Sequence, residues 1–205
     1  MPASVFFPRP WRRRRTVGWV VLVLVVVLVG AVDRYYAGQG GGDDWARYHD
    51  RCFAVAKVVD GDTLDVAAPD GRSATTRIRL WGVDTPELAR GDGGAMYFGP
   101  EAGAFAERML DGQTVRLVLH PQRSRDKYGR LLAYVYLAPQ GPMFNERLLE
   151  EGYAYADTRF AHPFKADFVR LEQTARRAGV GLWGGVTPGL MPEWRRRLET
   201  RGRKG

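Results

Sequence analysis

Residues 52–81 read CFAVAKVVDGDTLDVAAPDGRSATTRIRLW, and their reading decides the fold. Alternating, β-rich residues from Cys52 to Val59 predict a first strand, Asp60-Gly61-Asp62 is a turn signal, and Thr63-Leu64-Asp65-Val66 resumes the alternation. Pro69-Asp70-Gly71 then predicts a second hairpin, leading into a third strand from Ser73 to Trp81. Two tight hairpins in succession exclude a βαβ arrangement for this stretch, because parallel neighbours need a long crossover.

Working outward toward the C-terminus, a glycine-rich loop runs from Asp84 to Gly99. Pro100 opens a helix where its missing N–H costs nothing, and Gly112 closes it. Ala102, Phe105, Ala106, Met109 and Leu110 supply the apolar face of that helix. QTVRLVLH (113–120) and RLLAYVYL (130–137) read as two further strands. Phe144 to Glu151 and Phe164 to Ala178 read as helices, the second stopped by Gly179. The sum is a β-barrel with helices (α+β): a five-stranded OB-fold barrel with about three α-helices, preferred over a parallel sheet.

Toward the N-terminus, Val17 to Val32 is an uncharged apolar run of sixteen residues, preceded by Arg12 to Arg15 and ended by Asp33 and Arg34. As a helix it is about 24 Å long, slightly short of a hydrocarbon core of about 30 Å. Trp11, Thr16 and Tyr35–Tyr36 extend it into the interface. The expectation is one N-terminal transmembrane helix, with the arginines cytoplasmic and residues 33–205 outside the cytoplasm. A cleaved signal peptide is the rival, but Val29-Gly30-Ala31 is a poor cleavage site and the apolar run is long for one. The expected organisation is a basic arm (1–16), an anchor (17–32), a linker (33–51), the globular domain (52–185) and a basic tail (186–205).

The net charge of +8 does not mark a nucleic-acid-binding surface. Residues 1–16 carry +5 and residues 193–205 carry +4, which leaves 17–192 at −1. Attraction of an anionic substrate must therefore come from local placement of charge. Cys52 is the single cysteine, which excludes an intramolecular disulfide and a cysteine-based zinc cluster. It is expected to be a small buried residue at a strand start.

The chemistry-bearing groups lie beside turns. Asp60, Asp62, Asp84 and Glu87 sit at two of them, and carboxylates there suit a hard cation such as Ca²⁺. Arg79 lies on the third strand and Arg130 closes the run Asp126-Lys127-Tyr128-Gly129-Arg130. Arg77 reads as part of a solvated strand face. Acids and arginines together suit phosphoryl chemistry: a metal polarises a nonbridging oxygen, guanidinium forks bind the others, and a carboxylate activates water. Taken singly, each of these motifs is also an ordinary turn or cap.

Five ordered blocks bring a known family into view: VVDGDTLDV (58–66), RIRLWGVDTPE (77–87), YFGPEAGAFAERML (97–110), DKYGRLLAYVY (126–136) and NERLLEEG (145–152). Their order and spacing resemble the staphylococcal nuclease (thermonuclease-like) family over roughly residues 52–183. The resemblance implies an OB barrel with three helices and a Ca²⁺-dependent enzyme that hydrolyses phosphodiester bonds of DNA and/or RNA to 3′-phosphorylated products. It implies that Asp62, Asp84 and the backbone carbonyl of Thr85 hold Ca²⁺, with Asp60 just behind them. It makes Glu87 the general base, and Arg79 and Arg130 the catalytic cations that bind the phosphate. Tyr128, Lys127 and Arg90 become the substrate-binding side chains. One departure is the loop LARGDGGAMYF (88–98), where glycines and Asp92 stand in place of the namesake's lysines and leave Arg90. After Gly152 the pattern weakens; Tyr153, Tyr155 and Phe160 are available for base stacking, with a core position the better reading for Tyr153. The expected protein is a monomer with a nucleic-acid substrate and a membrane attachment. The alternative is a non-catalytic OB module that binds single-stranded nucleic acid or a protein partner.

Overall fold

The computed structural model describes residues 41–88, 94–120 and 123–202. The expected basic arm, the transmembrane helix at 17–32 and Arg90 lie outside the described residues. No helix among the described residues is long and apolar enough to cross a membrane.

Five strands close into a barrel in the order β1 (Arg51–Asp60), β2 (Thr63–Val66), β3 (Thr76–Leu80), β6 (Leu131–Leu137) and β5 (Thr114–Leu119). Every neighbouring pair is antiparallel except β3 and β6, which run parallel. β1 is long enough to serve two partners: Arg51–Ala54 pair with β5, and Val55–Asp60 pair with β2. Its register against β2 slips twice, between Val55 and Lys57 and between Val58 and Asp60. Such bulges bend a strand sharply and let a small barrel close. β4 (Val83–Asp84) and β7 (Tyr155–Ala156) form a separate two-stranded sheet.

The barrel interior is apolar, with Leu64, Ile78, Leu117, Leu131 and Val135 fully buried. Helix α2 (Gly99–Leu110) covers one side with Ala102, Phe105, Ala106 and Leu110, while Met109 is half-buried. Its Pro100 and the left-handed Gly112 stand where the sequence places its ends. Helix α3 (Phe144–Glu150) is tied to the barrel by Asn145, which is fully buried. The Asn145 amide oxygen accepts from the Val135 N–H at 2.9 Å, and its NH₂ donates to the Trp81 carbonyl at 2.9 Å. Helix α4 (Lys165–Ala178) buries Phe168 and Ala175 and ends at the left-handed Gly179.

Both ends of the domain are more ordered than the sequence suggested. The stretch expected to be linker contains α1 (Gly41–Tyr48). Tyr48 is fully buried with its hydroxyl 2.9 Å from that of Thr76, and Asp44 accepts from Ser124 Oγ and from Arg125 Nε, both at 2.8 Å. The stretch expected to be a basic tail contains α5 (Glu193–Gly202). Its Arg195 is met by acids, Glu172 and Glu199, both at 3.1 Å, and Glu199 also receives Arg176 of α4 at 2.7 Å. Cys52 is exposed rather than buried, because this end of β1 turns the residue opposite Arg116 to the outside.

Candidate active site

Two turns meet at one end of the barrel. The first joins β1 to β2 through Asp60, Gly61 and Asp62; the second follows β4 and carries Thr85, Pro86 and Glu87. The Thr85 N–H donates to Asp62 Oδ2 at 2.9 Å and locks one turn to the other. Gly61 is required there, since a Cβ at this position would lie 2.8 Å from the Thr85 side chain. Asp60 caps its own turn, accepting from the Asp62 N–H at 3.1 Å, and Asp62 Oδ1 accepts from the Thr63 hydroxyl at 3.1 Å. Asp84 is held on β4 by the pairing of that strand with β7, Asp84 opposite Tyr155.

Arg79 closes this arrangement. It stands opposite Thr63 on β2 and Leu132 on β6, and its guanidinium pairs with both Asp62 and Asp84. Burial alone would lower the Arg79 pKa, but Asp62, Asp84 and Asp60 together outweigh burial and raise it. The acids feel the same low-dielectric setting from the other side. Burial, reinforced by the neighbouring Asp62, pushes the Asp60 carboxyl up to about 6. Burial pushes Asp84 up to about 6 as well, against the lowering effect of Arg79. For Asp84 desolvation outweighs the ion pair, which is the usual outcome when a carboxylate is taken far from water.

Glu87 lines the same cleft, which has a volume of about 420 Å³. Its backbone is fixed by the start of α2: the Glu87 carbonyl accepts from the Met96 N–H at 3.0 Å, and a Cβ at Gly99 would lie 2.4 Å from that carbonyl. Arg130, Lys127 and Tyr128 line the opposite wall. Asp126 organises them, accepting from the Tyr128 and Arg130 N–H groups at 2.9 and 3.0 Å and from Arg130 Nε at 2.7 Å. Tyr128 is 71% exposed, and the Arg130 and Lys127 cations lie 5.6 and 4.9 Å from its ring centroid. Asp60, Asp62, Asp84, Glu87, Arg79 and Arg130 therefore surround one cleft, with Thr85 buried at its edge. Arg77 is paired through its fork with the buried Asp65, and lines an adjoining cleft that Glu87, Tyr128 and Arg130 share.

The structure adds residues that sequence reading missed. Trp194 of α5 donates its indole N–H to Asp84 Oδ2 at 2.7 Å. Arg159 forks onto Asp157 at 2.8 Å through both Nε and Nη2, and lies 3.4 Å from Asp84 Oδ1. Trp81 and Phe160 stack with centroids 5.6 Å apart, and Arg123 lies over both rings. Of the three aromatics offered for stacking, only Phe160 lines the cleft; Tyr153 packs on Phe105 at 4.2 Å and Tyr155 is buried. The Asp157-x-Arg159 spacing was a usable local signal, whereas nothing in the sequence links Trp194 to a residue 110 positions earlier. Among the described residues, no three His, Cys, Asp or Glu side chains gather into a ready-made metal cluster.

Comparison with known proteins shows the family. Residues 77–185 match the family described as staphylococcal nuclease homologue. The thermonuclease of Staphylococcus hyicus is 32% identical over 166 residues, covering 81% of this chain and 94% of that protein. The thermonuclease of Staphylococcus intermedius is 35% identical over 167 residues, covering 80% and 95%. The micrococcal nuclease of Shigella flexneri is 31% identical over 149 residues, covering 69% and 79%. On its closed five-stranded barrel and on these matches, the chain belongs to the staphylococcal nuclease homologue family.

Proposed function

We propose that the protein is a Ca²⁺-dependent nuclease that hydrolyses phosphodiester bonds of DNA and/or RNA with low sequence specificity. The observation that carries this reading is the cleft in which Arg79 draws the Asp62 and Asp84 carboxylates together while Glu87 and Arg130 line the same space. The donor set fits a hard cation. Its charged members are carboxylate oxygens, and a guanidinium already bridges two of them, those of Asp62 and Asp84. Asp62, Asp84 and the Thr85 carbonyl would hold Ca²⁺, with Asp60 supporting the turn. The ion would supply electrophilic polarisation of a nonbridging phosphate oxygen.

The remaining chemistry falls to the chain's own side chains. Glu87 accepts a proton from water as that oxygen attacks phosphorus, and the P–O5′ bond breaks to leave a 3′-phosphate and a 5′-oxygen that takes a proton from solvent to become the 5′-hydroxyl. Arg79 and Arg130 bind the equatorial oxygens whose charge grows in the transition state. Asp126 keeps Arg130 aimed by holding its Nε. Tyr128 and Lys127 would contact the flanking phosphate or base. The related thermonucleases and micrococcal nuclease support this substrate class by name. The proposed setting is a monomer held at a membrane by residues 17–32, with the nuclease domain on the extracytoplasmic side.

Cleavage of plasmid DNA and of RNA by the purified protein, in Ca²⁺ and in excess chelator, tests the reading. Activity should require Ca²⁺. Glu87→Gln should lower kcat by about 100- to 10,000-fold, and Arg130→Ala by about 100- to 1,000-fold, with unchanged melting temperatures. Equal cleavage with chelator would rule out the metal assignment, and binding without cleavage would favour a non-catalytic OB module.

A further inference from the structure

We propose that the C-terminal helix α5 completes the active site, with Trp194 as a positioning residue that fixes the Asp84 carboxylate and steadies Arg159 beside it. This inference rests on the nuclease reading above, because it gives a purpose to the orientation of Asp84.

Trp194 touches the site in two ways. Its indole N–H donates to Asp84 Oδ2 at 2.7 Å, while Arg79 engages Oδ1. With each oxygen engaged by a different donor, the carboxylate plane is held, and Oδ1 is the oxygen that the cleft-lining Arg79 and Arg159 approach. Its ring also underlies Arg159, whose guanidinium carbon lies 4.3 Å from the indole centroid. Arg159 is further held by the fork to Asp157, and lines the cleft 3.4 Å from Asp84 Oδ1. A guanidinium stacked on one face and forked along one edge is oriented before a phosphate arrives, which favours binding.

The helix is built to hold that tryptophan still. The next residue, Arg195, is 9% exposed and pairs with the buried Glu172 of α4 at 3.1 Å. Tyr155, the β7 residue opposite Asp84, packs edge-on against Trp194 with centroids 6.3 Å apart. The helix thus braces the small β4–β7 sheet and hydrogen-bonds the one acid that sheet carries. Hydrogen-bond partners one layer behind metal ligands commonly set metal affinity.

Calorimetric Ca²⁺ titration of the full-length protein tests this, alongside melting temperature and the Ca²⁺ dependence of cleavage. Trp194→Phe keeps a ring against Arg159 and Tyr155 but removes the N–H donor. It should weaken Ca²⁺ binding about tenfold, with much of kcat recovered at saturating Ca²⁺. Arg195→Met releases the pair that holds the same helix, and should lower both the melting temperature and Ca²⁺ affinity. Trp194→His, which retains a ring N–H, should bind Ca²⁺ more tightly than Trp194→Phe. Wild-type affinity in Trp194→Phe, or in Arg195→Met despite its lowered melting temperature, would overturn the inference and leave the nuclease reading intact. A wild-type protein that binds no Ca²⁺ would instead overturn the metal reading and this inference with it.

Discussion

At Asp60 and Asp84 the fold and the proposed chemistry pull in opposite directions. Both carboxyls are buried beside other acids and are pushed up to about 6, from an ordinary value near 3.8. In the unfolded chain they lose their protons near the ordinary value, so between roughly pH 4 and 6 the folded state holds more protons than the unfolded state. Their contribution to stability therefore falls as pH rises through that window and levels off above it. A bound cation acts against the same repulsion, and must displace those protons at low pH. The Ca²⁺-induced rise in melting temperature is thus expected to be small at pH 5 and larger at pH 7, as read by thermal melts at fixed Ca²⁺. An equal rise at both pH values would mean that the cation binds elsewhere. That Asp62, Asp84, Glu87, Arg79 and Arg130 gather at one cleft was foreshadowed in the sequence because each lies in a short block that resembles the family. Trp194 was not legible, since its hydrogen bond to Asp84 is made only once α5 has docked.

Strands were easier to read than the elements that brace them. Burial alternates along β3 and β5, while β2 and most of β6 are buried on both faces and stood out as β-rich runs bounded by turn signals. The β4–β7 pair escaped notice, since two residues per strand leave no period to detect. The first helix was hidden by its own start: Gly41 and Gly42 continue a glycine run that reads as linker, although Asp43 and Asp44 are the acidic first turn a helix favours. The last helix was masked by its arginines, which looked like a solvated tail until the acids of α4 and α5 were seen to meet them. Between strands and helices the strongest single fastener is Asn145. It satisfies a backbone donor on β6 and a backbone acceptor just past β3, all in the dry interior. Asn145→Leu would strand both groups, at about 1–3 kcal/mol each, so denaturant melts should show a loss of about 3 kcal/mol. A cost under about 0.5 kcal/mol would mean that water reaches this junction.

For the whole molecule, the question is how much of the chain the catalytic unit needs. Its N-terminal edge is secured from within: Tyr48 is buried against Thr76, and Asp44 binds Ser124 and the fork of Arg125. That clamp also reaches the cleft, because Arg125 donates to the Gly129 carbonyl at 2.9 Å in the turn that presents Tyr128 and Arg130. A chain beginning at Gly41 should therefore keep both the melting temperature and the kcat of the full protein when the two are compared in the same detergent. The membrane reading then makes a separate demand. Residues 17–32 are apolar and uncharged, and Arg12 to Arg15 flank them on one side. Cell fractionation should find the full chain in the membrane fraction, resistant to extraction by high salt, and the shortened chain in the soluble fraction. A full chain released by salt alone would mean attachment by its basic ends through electrostatics. Loss of activity in the shortened chain would mean that the first forty residues are part of the catalytic unit.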